Sequence, residues 1–371
     1  MPIAQETQLE IDLSALEGNY RYLRSKIAPE TKFLAVVKAF SYGHDAAVVA
    51  QKLESLGVDY FAVAYAQEGE ALRDAGIKSR ILVLHPAPVN FKTIIDRCLE
   101  PSLYSRRILS SFMETAAMEG QVGYPIHLKF NTGLNRLGFG EQDLDFITGA
   151  VKDAQSLKIA SVFSHLAASE DPGERAFTLG QISAYDAICA RLFEALPYKP
   201  MRHLLNTSGI VNYPQAQYDM VRSGIGLYGF GNEASVDAKL RPVASLKTVI
   251  SQLHTIKPNE SVGYNRGFIS ETTMTTATLP LGHADGIGRQ YGKGRGFVYV
   301  HGKKAPIVGN VCMDMIMVDV TSIECREGDE VVVFGENAPA EALAAAAGTI
   351  SYELLTGISQ RVKRVVLPPE K

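Results

Sequence analysis

Four cations, one imidazole and a run of polar turn residues stand at the ends of apolar stretches in this chain. The stretch FLAVVKAFSYGHD (33–45) reads as a buried strand ending on Lys38, with Tyr42, Gly43 and His44 following in a short turn. Such a lysine offers an amine that can condense with an aldehyde. Lys129 closes another run with Arg136 just beyond it, and His165 closes a third. Asn206, Thr207 and Ser208 close a fourth, and Arg222 a fifth, with Gly224 following. The loops NTSG and GIGLYG are rich in small and hydroxyl residues, which suits a phosphate held by backbone N–H groups. The set lacks the carboxylates and the HxH or HExxH spacing of a metal hydrolase, so no metal is expected. A phosphate site facing a lysine is the chemistry of pyridoxal 5'-phosphate, with Lys38 holding the aldehyde and an Arg or Asp facing the pyridine nitrogen. Singly, each residue has an ordinary reading: a solvated strand-end lysine, rim arginines in ion pairs, a hydrogen-bonded core histidine, and Gly224 and Gly229 as turn glycines. Their common place on one rim favours the chemistry.

The elements that must carry these residues follow from the alternation of the chain. Eight β-rich runs begin at TKFLAVVK (31–38) and continue through DYFAVA, RILVLH, CLEPSLY, YPIHLKF, KIASVFSH, MRHLLN and YDMVRSG. Amphipathic helical patterns such as HDAAVVAQKLESLG separate most of them. No GxGxxG follows the first run, so the pattern predicts an α/β fold, a (β/α)8 TIM-type barrel closing near Gly229. Barrel enzymes keep their catalytic groups at the C-terminal strand ends, where all the residues above fall. Beyond the barrel, alternating runs such as SLKTVISQLHTI, GFVYVHG and DEVVVFG predict a mostly β C-terminal domain with one Ala-rich helix at APAEALAAAAG. The expected domains are 1–235 and 236–371, with the first ~12 residues able to pair with the β-domain.

Composition narrows the class. The chain has 371 residues, 46% hydrophobic and 21% charged, with a net charge of −3. That is a soluble globular composition, with neither nucleic acid nor an anionic membrane as an expected partner. No apolar run approaches the ~18 residues of a membrane span, and the N-terminal stretch carries no secretory pattern. Cys98, Cys189, Cys312 and Cys325 have no framework spacing and read as reduced thiols, which points to the cytoplasm.

The motifs FLAVVKAFSYGHD, HLKFNTGLNRLGF, FSHLAASED, HLLNTSG, VRSGIGLYG, SVGYNRGF, GHADGIGR, GNVCMDMIMVDVT and TISYELLTGISQRV resemble, in order, the signatures of the alanine racemase family. The resemblance spans nearly the whole chain. It implies a homodimer in which the partner's β-domain completes each barrel mouth. It implies Lys38 as the Schiff-base lysine and Tyr42, Thr207, Gly224, Ile225 and Tyr352 as phosphate ligands, with Asn206 in the same cofactor-binding loop. Arg222 would face the pyridine nitrogen and bond to His165, and Arg136 would contact cofactor and substrate carboxylate. Tyr264 and Met313 would reach in from the other subunit, and Lys129 matches a lysine carbamylated in some members. Racemisation of alanine asks for bases on opposite faces, and the resemblance implies Lys38 for D-alanine and Tyr264 for L-alanine. The product would supply D-alanine for peptidoglycan. A broad-specificity or serine racemase, a decarboxylase of the same fold, or a non-catalytic cofactor-binding barrel are the alternatives.

Three positions depart from the family pattern. Asn131 stands where aspartate is common, His283 where tyrosine is usual, and Asn310 where arginine is usual. None of the three is expected to touch the proton-transfer groups.

Overall fold

Short runs buried at nearly every position make the centre of the first unit of the chain. Tyr60–Val63, for example, is buried at all four residues. A strand with strands' side chains on one face and helices on the other must be apolar on both. The computed structural model describes residues 4–152 and 154–368. It divides into two compact units, one of Glu17–Ser41 and Ala46–Leu240, the other of the residues up to Leu16, Tyr42–Asp45 and everything from Arg241 onward.

The first strand of the chain, β1 (Gln8–Ile11), belongs to the second unit. The first unit contains β2 (Lys32–Val36), β3 (Tyr60–Val63), β4 (Arg80–Val83), β5 (Glu100–Leu103), β6 (Tyr124–Lys129), β7 (Leu157–Phe163), β8 (Met201–His203) and β9 (Met220–Ser223). Each pairs in parallel with the next, and β9 returns to β2 with Arg222 opposite Leu34, closing an eight-stranded barrel. Leu34, Tyr60, Ala62, Leu82 and Met220 pack as a buried cluster. Each such large side chain contributes about 1.5–3 kcal/mol by leaving water. The intervening helices bury one face each. Arg106–Met118 is capped by Ser105, whose hydroxyl accepts from the Ile108 amide, and it buries Ile108, Leu109, Phe112 and Ala116.

The second unit contains β10 (Ala244–Val249), β11 (Gln252–Ile256), β12 (Ser261–Val262), β13 (Phe268–Ile269), β14 (Met274–Leu279), β15 (Phe297–Val300), β16 (Lys303–Val308), β17 (Ile316–Asp319), β18 (Glu330–Phe334) and β19 (Lys363–Val366). Nine strands form one sheet in the order β11-β14-β17-β16-β15-β18-β10-β1-β19, and β12 and β13 form a hairpin. β1 lies between β10, antiparallel, and β19, parallel. The fold class is therefore the expected one, a barrel followed by a mostly β domain.

The structure corrects several element boundaries. The run SLKTVISQLHTI is two strands: β10 pairs with β18, whereas β11 pairs with β14, and Ile250 and Ser251 make the turn between ladders. The first, sixth and seventh barrel runs stop short of their expected last residues. β2 ends at Val36, β7 at Phe163 and β8 at His203, so Lys38, His165 and Asn206 stand on the loops beyond the ladder. A second C-terminal helix, Ser351–Thr356, carries Tyr352.

Candidate functional site

Beyond β2 the backbone turns left-handed. Ala39, Phe40 and Ser41 each have φ of 54°, Tyr42 has 55° and Gly43 has 88°. For residues with a Cβ this conformation costs roughly 1–2 kcal/mol each, so something must hold the turn. Glu68 does so in part. Its carboxylate accepts from the amides of Ala39 at 2.6 Å, Ala64 at 2.7 Å and Tyr65 at 3.0 Å. It thereby ties the turn after β2 to the start of helix Ala66–Asp74. Only glycine suits the last position, because a Cβ on Gly43 would lie 2.1 Å from the carbonyl oxygen of Leu355. Burial first, then the Arg136 charge, lower the Lys38 pKa, with Glu68 acting the other way.

The remaining cations crowd the same rim. Burial, then Arg136, Arg222 and Lys38, bring Lys129 down to about 8. Among the described residues none of Lys38, Lys129, Arg136 and Arg222 has a carboxylate ion pair. Burial and the same four cations hold His165 well below the usual imidazole range. Arg222, fully inside, is lowered to about 10 by burial. One of its terminal nitrogens donates to the carbonyls of Ser164 at 2.8 Å and Leu204 at 3.0 Å and lies 3.2 Å from His165 Nδ1. The expected Arg222–His165 contact is thus present.

The loops after β8 and β9 meet closely. Asn206 caps helix Thr207–Asn212 by accepting from the Gly209 amide at 2.9 Å, and Ser169 donates to the same oxygen at 2.8 Å. Its carbonyl oxygen is therefore committed to the fold. Thr207 Oγ1 is 2.9 Å from Ser223 Oγ. Gly224 and Ile225 open the short turn Ile225–Tyr228. A Cβ on Gly226 would lie 2.5 Å from Thr207 Cγ2, so this backbone approaches the threonine as only glycine allows. The surplus of positive charge, the Thr207 hydroxyl and this glycine cradle fit an anionic phosphate group, and the Lys38 amine fits an aldehyde.

In the second unit, Tyr42 and Tyr352 face each other with ring centroids 6.2 Å apart. Burial, then Tyr352, raise the Tyr42 pKa. Tyr264 is 73% exposed and Met313 58%. Tyr264 opens a tight turn with Gly263 at φ 76° and Asn265 at φ 57°. Asn310 Nδ2 donates to the Tyr264 carbonyl at 3.0 Å. Asn310 thus meets the main chain of Tyr264 and not its phenol. The backbone of exposed His283 donates to the Cys312 carbonyl at 2.9 Å, beside Met313. Asn131 accepts from the amides of Gly133 and Asn135 with its oxygen, the turn-forming part a carboxylate would also play.

Glu68 and the left-handed turn were not visible in the sequence. The only signal for Glu68 is a Glu at the third position of a helix, and its partner at the cap is Tyr65 rather than a serine or threonine.

The closed parallel barrel with its cation-lined rim, and a separate mostly β unit, define the class as a barrel-plus-β-domain protein. Residues 11–231 match the alanine racemase N-terminal domain, and residues 243–366 match the alanine racemase C-terminal domain. An alanine racemase of Synechocystis is 35% identical over 98% of this chain and its own full length. The alanine racemase of a D-cycloserine-producing Streptomyces lavendulae superposes with a TM-score of 0.93 at 31% identity, covering 100% of this chain and 99% of its own. That of Bartonella henselae, solved with covalently bound pyridoxal phosphate, gives 0.89 at 29% identity, covering 98% and 100%. The chain belongs to the alanine racemase family, and is an enzyme of the amino-acid isomerase class.

Proposed function

We propose that this protein interconverts L- and D-alanine with pyridoxal 5'-phosphate held on Lys38. The observation that carries the reading is the positive charge of Lys129, Arg136 and Arg222, without carboxylate partners among the described residues, beside the Lys38 amine just beyond β2. The cofactor, when bound, would supply the electron sink that makes an α-proton labile. Thr207, Gly224, Ile225, Tyr42 and Tyr352 would hold its phosphate. Arg222, a permanent donor, would leave the pyridine nitrogen unprotonated. Arg136 would fix the substrate carboxylate. The lowered pKa of Lys38 enlarges its neutral fraction, so its amine can take or return a proton at the α-carbon on one face. The phenol of Tyr264 from a second subunit would serve the other face. Its exposure, with those of Met313 and of Met315 (46%), presents large apolar side chains suited to a partner surface. Lys129, buried beside three cations, would be relieved by carbamylation.

No helix among the described residues is long and apolar enough to cross a membrane. The proposed place of action is the cytoplasm, with D-alanine delivered to cell-wall synthesis. The test is chiral chromatography of alanine, serine and other small amino acids incubated with the protein in deuterated water. Interconversion of alanine with deuterium at the α-carbon is expected. Faster turnover of serine, or no turnover by protein loaded with cofactor, would overturn the reading.

A further inference from the structure

A line of hydrogen bonds crosses the barrel interior from the start of β5 to the end of β9. Its members are Glu100, His127, Ser161, His203 and Arg222, none more than 5% exposed. Glu100 Oε2 is 2.7 Å from His127 Nε2, and His127 Nδ1 is 2.6 Å from Ser161 Oγ. Ser161 Oγ is 2.8 Å from His203 Nε2, and His203 Nδ1 is 2.8 Å from a terminal nitrogen of Arg222.

With both imidazoles neutral and both ends charged, one proton order satisfies all four contacts. A carboxylate only accepts and a guanidinium only donates. Glu100 therefore keeps the proton of His127 on Nε2, leaving Nδ1 to accept. Ser161 donates its single proton there, so its oxygen accepts from His203 Nε2–H. His203 Nδ1 is then bare and accepts from Arg222. Every bond donates toward Glu100. Burial, then the Arg222 charge, hold His203 well below the usual imidazole range, which keeps its ring neutral. Arg80, with its Nε 3.6 Å from Glu100, provides the countercharge at the strand starts.

We propose that Glu100 is a positioning residue for Arg222, setting the proton order that makes His203 offer a lone pair, not an N–H, to the guanidinium. The geometry makes this contact decisive. The bonds to Ser164, Leu204 and His165 all use one terminal nitrogen, and His203 holds the other. Reversal of the His203 tautomer would set N–H against N–H and turn the guanidinium plane. The relay itself rests on the chain's own side chains. Its effect on turnover rests on the proposed racemase reading.

The experiment is ¹⁵N-histidine NMR and alanine kinetics on the cofactor-loaded protein and on Glu100→Leu, Glu100→Gln, Ser161→Ala and the Glu100→Leu/Ser161→Ala double variant. His127 and His203 should both be neutral with the proton on Nε2. Glu100→Gln keeps an acceptor oxygen and should preserve both tautomers. Glu100→Leu should change the His203 tautomer and lower kcat by about ten- to a hundredfold, as loss of a buried bond to a charged group does. With Ser161→Ala already present, adding Glu100→Leu should change neither readout further. A His203 proton on Nδ1 in the parent protein, an unmoved His203 in folded Glu100→Leu, or additive effects in the double variant would overturn the proposal. If Glu100→Leu does not fold, Ser161→Ala alone decides: with the relay cut, His203 should lose its fixed Nε2 proton, and a His203 that keeps it would show that Glu100 does not set the order. Absence of racemisation would strike at the functional reading while the histidine signals still decide the relay.

Discussion

Glu68 Oε1 lies 2.6 Å from the amide of Ala39, the residue next to Lys38, and so holds the left-handed turn from a neighbouring strand loop. Glu68→Ala removes three hydrogen bonds to one carboxylate, each worth about 1.5–3 kcal/mol at most and less where water can substitute. The variant should lose roughly 1–3 kcal/mol in denaturant unfolding and retain less cofactor. Glu68→Gln, which keeps an acceptor oxygen, should fall between. An Ala variant with parental stability and full cofactor content would show that the turn holds itself.

Gly226→Ala places a methyl group where Thr207 Cγ2 already stands, at 2.5 Å. Thr207 must move, and its bond to Ser223 goes with it. Cofactor affinity should fall about tenfold, roughly 1.4 kcal/mol, measured by equilibrium dialysis of pyridoxal phosphate. The reverse result, unchanged affinity, would remove Thr207 from the phosphate site.

Lys129 gives a pH test whose sign can be worked out. Its folded pKa, about 8, lies below its ordinary value of 10.5. Between those two values the unfolded chain binds the extra proton, so stability rises with pH across that window and is flat on either side. The slope from this group is about 1.4 kcal/mol per pH unit where it is steepest. Lys129→Met should lack that rise. Unfolding curves taken in bicarbonate-free buffer at pH 7, 8.5 and 10 compare the two proteins, and parallel pH dependence would contradict the lowered pKa.

Tyr264 carries the prediction about assembly. Lys38→Ala and Tyr264→Ala chains should each be inactive in racemisation. Mixed under conditions that exchange subunits, they should recover activity, because one site of each hybrid draws an intact lysine and an intact tyrosine from different chains. Hybrids shown to form by tagged purification, yet inactive, would mean that the site is not shared.

Much of the barrel is legible in the sequence because a strand buried on both faces must be an uninterrupted apolar run. Tyr60–Val63 and the stretch Ile81–Val83 show it plainly. Strand ends are less legible, since Val37, Leu84 and Leu204 continue the apolar run past the ladder. The rim residues could be read because strand order alone brings Lys38, Lys129, His165 and Arg222 to one end. The left-handed turn could not, because Ala39, Phe40, Ser41 and Tyr42 have no intrinsic preference for positive φ. The line from Glu100 to Arg222 was hidden for another reason. Its members are separated by 19 to 42 residues in sequence, and only closure of the barrel makes them neighbours.

The placement of β1 between β10 and β19 has a consequence for the order in which the chain is made. Residues 8–11 leave the ribosome well before their two neighbours in the sheet, Ala244–Val249 and Lys363–Val366. The barrel can assemble as its strands emerge, each beside the one before it, while the leading strand waits without a ladder. Among the described residues β19 has β1 as its sole strand neighbour in the sheet. The sheet of the second unit therefore closes only after Val366 has been made, and a nascent chain released before it would carry its barrel strands with an open edge at β1.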